Sequence, residues 1–330
     1  MRPQSTTEPA QQLPSEEAKA HRSAGTAQLP GNTFSIPQIS EQGMHQALLR
    51  SGYLLEHRIE TTLRRQGWYV QASHAYRDAD TGKSRELDLY ALRWWEIKTK
   101  IRNRKRDHVC VELLIECVNN SQPVAFLTKR DPFTSGVNAL PEIKFVCDPA
   151  HVRSKRGKQD IRDFLVMEDY QHYCTGRIAS QFCSFVRKKD KSEWMATHED
   201  EHFAVFSTLV KALEDSLSGF SYTKGTHLNA TFLYPVLVLQ GILVDVRHDG
   251  RRLEFKKEDW VRYRRSVALG KKQISYVIDV VTEKGFSKYL KAIESEARKT
   301  SFRMKRVSEF LRANIKYQPR PKSPLDSRDT

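Results

Sequence analysis

The chain of 330 residues predicts an α/β fold, a mixed β-sheet core flanked by helices, with a C-terminal α/β extension. Two patterns and their order carry that expectation. At 111–116 the side chains alternate, with Val111, Leu113 and Ile115 on one face and Glu112, Leu114 and Glu116 on the other, the period of a strand. At 52–66 Leu55, Ile59 and Leu63 recur at helical spacing. Along the chain such segments follow the order helix, hairpin, strand, strand, helix, strands, helix, with no internal repeat.

Residues 1–40 are rich in Pro, Gln, Ser and Thr and poor in large apolar side chains, too little to offset ordering entropy. They read as a disordered tail, with order beginning near Met44. The helix at 52–66 ends at Gly67 and carries Glu56 and Glu60 beside its apolar stripe; Glu60 reads as an ordinary partner of Arg64 or Arg65. Strands at 68–76 and 85–92 flank the polar turn 78–83 and form a hairpin. Asp88 sits inside the second of these strands, where a carboxylate is disfavoured and needs a reason. The central stretch 111–126 gives a strand ending in Glu116, a turn and a second strand.

Beyond it, 129–160 reads as loops punctuated by Pro132, Pro141 and Pro149, and helical segments follow. An amphipathic helix at 201–217 precedes strands at 232–239 and 242–247, a turn at His248-Asp249-Gly250, a strand at 276–281 and helices at 286–297 and 307–315. The Pro-rich end, 317–330, reads as a second disordered tail.

Lys and Arg total 55 against 40 Asp and Glu, a net charge of +15 with a pI near 9.6, which favours a polyanionic partner, nucleic acid first. No run of apolar residues is long enough to span a membrane, and no basic amphipathic helix or lipidation signal points to one. The five cysteines are odd in number and lack CxxC spacing, against a zinc ribbon or disulfide framework and in favour of a reducing, cytoplasmic setting. Serine-hydrolase elbows, P-loops and dinucleotide fingerprints find no match.

Glu56, Asp88 and Glu116 are three carboxylates that a sheet with a flanking helix can bring together, and three oxygen ligands suit Mg²⁺ or Mn²⁺. Between Trp94 and Asp107 the cations Lys98, Lys100, Arg102, Arg104, Lys105 and Arg106 form a basic arm suited to phosphate contact. His198 and His202 have helical spacing but lack the HExxH order, and Asp245 and Asp279 read as strand termini.

The order and spacing of these carboxylates resemble the PD-(D/E)xK nuclease superfamily, the fold of many restriction endonucleases, over residues 44–130. In that resemblance Glu56 precedes Gly67-Trp68 as the family's helix Glu precedes its first strand. Asp88 in SRELDLYAL matches the second-strand Asp, Glu116 in LLIECVNN matches the (D/E)xK acid, and 123–127 matches the following strand. The resemblance implies a restriction-endonuclease-like core at 44–165, with 166–316 extending the same sheet or forming a second subdomain. It also implies metal binding by Asp88, Glu116 and the carbonyl of Cys117, with Glu56 in support.

The family's Lys is replaced by Val118, which can neither orient water nor stabilise negative charge. Lys83 or Lys129 reaching in, or Asn119, Asn120 or Gln122 orienting the water, would keep the site active. Otherwise the fold serves binding. The expectation is a Mg²⁺- or Mn²⁺-dependent DNA endonuclease-like protein, a homodimer being allowed. The alternative is an inactive nucleic-acid-binding module of a defence or mobile-element system.

Overall fold

The computed structural model describes residues 39–98, 107–120, 122–130, 135–154, 157–187, 193–197, 200–220, 228–269 and 272–314. The two tails expected to be disordered, apart from residues 39 and 40, lie outside them, as do Lys100, Arg102, Arg104, Lys105 and Arg106 of the basic arm and His198. The chain begins with α1 (Glu41–Arg50), α2 (Tyr53–Arg65), β1 (Tyr69–Arg77), β2 (Ser84–Glu96), β3 (His108–Val118) and β4 (Val124–Lys129). Three short strands, β5 (Phe145–Cys147), β6 (His151–Ser154) and β7 (Gly157–Asp160), lead to a single turn of helix, α3 (Ile161–Phe164). Next come β8 (Ile178–Arg187), β9 (Trp194–Thr197), α4 (Asp200–Gly219), β10 (Asn229–Leu239), β11 (Leu243–His248) and β12 (Leu253–Lys257). Two long strands, β13 (Trp260–Leu269) and β14 (Lys272–Thr282), precede α5 (Phe286–Arg306) and α6 (Ser308–Asn314).

Twelve strands form one mixed sheet in the order β1-β2-β3-β10-β14-β13-β8-β4-β11-β12, with β5 beside β10 and β9 beside β8, while β6 and β7 pair separately. β1, β2 and β3 make an antiparallel meander, and β10 runs parallel to both β3 and β14. Strands from before and after residue 165 therefore interleave. The sheet cannot be flat. Leu239 and Leu243 are joined by three residues, a reach of about 14 Å, yet their strands are five ladder steps apart, about 24 Å across a flat sheet. The sheet must curl back on itself at this crease. The parallel pair β3 and β10 continues there into the parallel pair β4 and β11, tied by Gly241 N–H to Asn120 Oδ1 (3.3 Å) and Val124 N–H to the Ile242 carbonyl (2.9 Å).

Helices cover both faces. Leu55, Ile59 and Leu63 of α2 and Leu290, Ile293 and Ala297 of α5 pack with Val111, Leu113 and Ile115 on one face. Phe206, Leu209 and Leu213 of α4 pack with Leu114, Leu233 and Leu237 on the other. β3 and β10 are thus covered on both sides, which is why they read as nearly continuous apolar runs.

The strand that follows β3 in the chain is not its neighbour: β4 pairs with β8 and β11, and the place beside β3 is taken by β10. Two expectations from sequence need correction. The stretch after residue 160, read as helical, includes the ten-residue strand β8, and Asp245 and Asp279, read as strand termini, lie inside β11 and β14 with buried side chains, 3% and 0% exposed. β13 was not expected, because three arginines interrupt WVRYRRSVAL. Arg262 is nevertheless buried, its guanidinium donating to the carbonyls of Tyr173 (2.5 Å), Thr175 and Arg177 (2.9 Å). Such long-range partners, which satisfy a buried cation, leave no trace in local pattern.

Candidate active site

The register that pairs Leu89 with Ile115 places Asp88 opposite Glu116, one step further along β2 and β3. Like charges directly across a ladder repel. Both carboxyls lie on the α4 face, with Tyr90, Leu114 and Val118. Glu56 reaches the same rim from the first turn of α2. The backbone closes the cluster: Cys117 N–H donates to Asp88 Oδ2 at 2.7 Å. Gly52 packs so closely that a Cβ there would stand 3.3 Å from Glu56 Oε1 and 3.9 Å from the Cys117 carbonyl oxygen, so the α2 N-terminus meets the end of β3.

Electrostatics report the same proximity. Burial raises the Glu116 carboxyl, and the charges of Asp88 and Glu56 push it further, to about 9. Asp88 is raised by burial, partly offset by the Cys117 N–H and by the proton that Glu116 shares with it. Glu56 is raised by burial and by Asp88. Burial lifts the Cys117 thiol, and Asp88, Glu56, Glu116 and Glu283 add to the rise. At neutral pH, then, Glu116 keeps its proton, which it shares in a hydrogen bond with Asp88.

The donor set of carboxylate and carbonyl oxygens fits a hard divalent cation, and a cation would relieve the repulsion that now holds a proton on Glu116. Among the described residues no three His, Cys, Asp or Glu side chains already converge as a metal-ligand group.

Val118 lies two residues beyond Glu116 on the same strand face, half-buried against the α4 cluster. The side chains expected to compensate are employed elsewhere. Asn119 Nδ2 donates to the carbonyls of Leu49 (2.9 Å), Arg50 (3.0 Å) and Ser51 (3.2 Å), capping α1. Asn120 ties the crease, donating to the Gln122 carbonyl (2.7 Å); Gln122 itself is half-buried in the link after β3. Lys83 is exposed in the β1–β2 turn, and Lys129 lies in a separate cleft at the end of β4. Lys98 is exposed just after β2.

A cation missed from sequence does approach. Lys211 of α4 donates to Asp78 at 2.9 Å and pairs with Asp80 at 3.2 Å. Burial works against the Asp78 charge, but Lys211 and backbone N–H groups outweigh it and hold the carboxyl down at about 2. The Tyr76 hydroxyl, raised mainly by burial, feels both Glu116 and Lys211. Glu60 pairs with Arg64 at 2.8 Å.

A second polar centre lies on the opposite face, under α5. His172 bridges Glu296 Oε1 (2.9 Å) and Asp279 (3.1 Å); Tyr289 (2.7 Å) and Tyr173 (3.1 Å) donate to Asp279, and Tyr234 (3.0 Å) to Glu296. Burial pulls the imidazole pKa down, but Glu296 and Asp279 prevail and raise it to about 10, so the ring is charged. Every oxygen of the two carboxylates has a donor, which makes this centre a clamp between β14, α5 and the segment before β8. The one sequence signal was a carboxylate inside the apolar run YVIDVV.

Comparisons with protein-family models, with curated proteins and with solved structures gave no match to the chain. Among the described residues no helix is long and apolar enough to cross a membrane.

Proposed function

We propose that the protein is a divalent-metal-dependent nuclease with a restriction-endonuclease-like core, hydrolysing phosphodiester bonds in nucleic acid, DNA first. The observation that carries this is the cluster of Glu56, Asp88, Glu116 and the Cys117 backbone at the end of β3. The order α2, antiparallel β1-β2-β3, α4, then β10 parallel to β3 supports the same reading. So does the net charge of +15, and the free cysteines suit a cytoplasmic setting.

Asp88, Glu116 and the Cys117 carbonyl would hold Mg²⁺ or Mn²⁺, which polarises a phosphoryl oxygen and lowers the pKa of bound water. A cation held there would cancel the repulsion that retains the Glu116 proton and so favour the ionised carboxylate. Glu56, raised but half-buried, is placed to accept a proton from a nucleophilic water.

One observation favours a second reading, a nucleic-acid-binding module without catalysis: Val118 packs against apolar side chains where the reaction calls for a cation, and Lys211 is held by two aspartates. Plasmid cleavage with Mg²⁺ and with Mn²⁺ decides. Loss of cutting in Asp88→Ala and Glu116→Ala supports the nuclease; an inert wild type that still binds DNA supports the module.

A further inference from the structure

A cleft of about 1250 Å³ opens where the ends of β4 and β11, the start of β13 and the segment before β8 meet. It exceeds the usual size of a small-molecule pocket, about 300–1,000 Å³, and most of the residues that line it are polar or charged, where such pockets are mostly apolar. Most of its negative charge is spent internally. Asp245 is bonded by Thr128 and by Arg247 (2.7 Å) and Glu258 by Lys256 (2.6 Å), whereas Asp249 accepts from the backbone N–H groups of Arg251 (2.9 Å) and Arg252 (2.8 Å), which hold its charge in place without cancelling it. Glu254 stands 3.8 Å from Arg247.

Its positive charges are not spent in this way. Lys129, Arg130 and Arg252 are exposed and make no ion pair among the described residues. Arg177 is set in place by neutral oxygens, Nε donating to Thr128 Oγ1 (2.8 Å) and Nη2 to the Thr128 carbonyl (2.6 Å), so its guanidinium charge is oriented without being cancelled. Four uncompensated cations on three separate segments fit a chain of phosphates better than a single one.

The sheet relates this cleft to the carboxylates. Glu116 pairs with Leu237, Leu237 with Val280, and Val280 with Val261, which lines the cleft. Three ladder steps separate Glu116 from Val261, about 14 Å measured along the curved sheet. At about 3.4 Å of axis per phosphate along one strand, that is about four nucleotides.

We propose that this cleft binds the sugar–phosphate backbone of nucleic acid through Lys129, Arg130, Arg177 and Arg252, about four nucleotides from the phosphodiester that meets Glu116. The site itself is argued from its own charges; only the offset to Glu116 rests on the nuclease reading.

The test measures binding of a fluorescent duplex of about 20 base pairs by anisotropy across a salt series. The full chain is compared with Lys129→Glu/Arg130→Glu/Arg252→Glu, with the single exchange Arg252→Gln and with Asp88→Ala/Glu116→Ala. The triple exchange should reduce the slope of log affinity against log salt by about 3, and Arg252→Gln by about 1. The carboxylate variant should keep the wild-type slope whether or not the wild type cuts, so failure of the nuclease reading and failure of the cleft remain separate results. A wild-type slope in the exposed single variant and in a triple variant with native circular dichroism overturns the proposal. Saturable binding of a mononucleotide or of anionic vesicles, without binding of the duplex, overturns it as well.

Discussion

Replacing Glu116 by glutamine should stabilise the protein at neutral pH and leave its stability in acid unchanged. In the fold this carboxyl titrates near 9 instead of 4.5. A carboxyl raised in this way keeps its proton when folded and loses it when unfolded. The stability it contributes is therefore full below pH 4.5 and drains away as pH rises towards 9. At about pH 7.5 three pKa units separate the solution from the unfolded value, or about 4 kcal/mol at about 1.36 kcal/mol per unit. Water reaching the half-exposed Asp88 and Glu56 screens part of this, leaving about 2 kcal/mol. For a domain of this size that is a rise of about 4 °C in melting temperature, measurable by scanning calorimetry from about pH 4 to pH 8. Mg²⁺ should raise the wild-type melting temperature by the same relief and have little effect on Glu116→Gln. A Glu116→Gln protein that melts below the wild type at about pH 7.5, or by the same margin at every pH, refutes the repulsion described at Asp88 and Glu116.

Other perturbations test other parts. Val118→Lys should cost about 1 kcal/mol in urea melts as the stem lies along the α4 cluster, and should raise metal-dependent cleavage by about 100-fold if the cluster is catalytic. His172→Gln leaves Asp279 and Glu296 buried without their cation and should lose about 3–5 kcal/mol in denaturant titrations. The His172 contribution is full below pH 6.5 and lost as pH rises through about 10, so between these values wild-type stability should fall more steeply than that of the Gln variant, which keeps only the decline due to Glu116. Asn119→Ala removes the donor to the last two α1 carbonyls and that of Ser51; since no α1 residue is buried, hydrogen exchange over Glu41–Arg50 should quicken about fivefold with little change in global melting.

The candidate site was legible in the sequence for local reasons. Leu55, Ile59 and Leu63 mark the buried face of α2 and so place Glu56 at its edge, and the alternation of 111–116 puts Glu116 on one face of β3. Asp88 stood out because a strand interior rarely keeps a carboxylate without a partner. What could not be read was set by distant neighbours. β10 joins β3 from across more than a hundred residues, and its apolar run looks the same beside any parallel strand. β13 hides behind arginines whose partners lie far off in sequence: carbonyls at 173–177 for Arg262, Glu142 for Arg264 and Ser207 for Arg265. Lys211 met Asp78 through helix packing, and Asp279 met His172 through a non-repeating loop; neither pairing has a spacing to recognise.

The pairing of β3 with β10 also fixes a timetable. His108 meets Asn229, a partner made 121 residues later, so the strand that carries Glu116 leaves the ribosome with one edge open and its apolar side chains uncovered. At about 5–20 residues per second the wait is on the order of 6–24 s. For that interval VELLIECV is an unpaired, adhesive segment, guarded by its own two glutamates. Glu116, which Asp88 and Glu56 crowd in the finished fold, is thus also one of the two charges that keep the nascent strand from sticking to its neighbours, and removing both Glu112 and Glu116 should lower soluble yield before it alters any reaction.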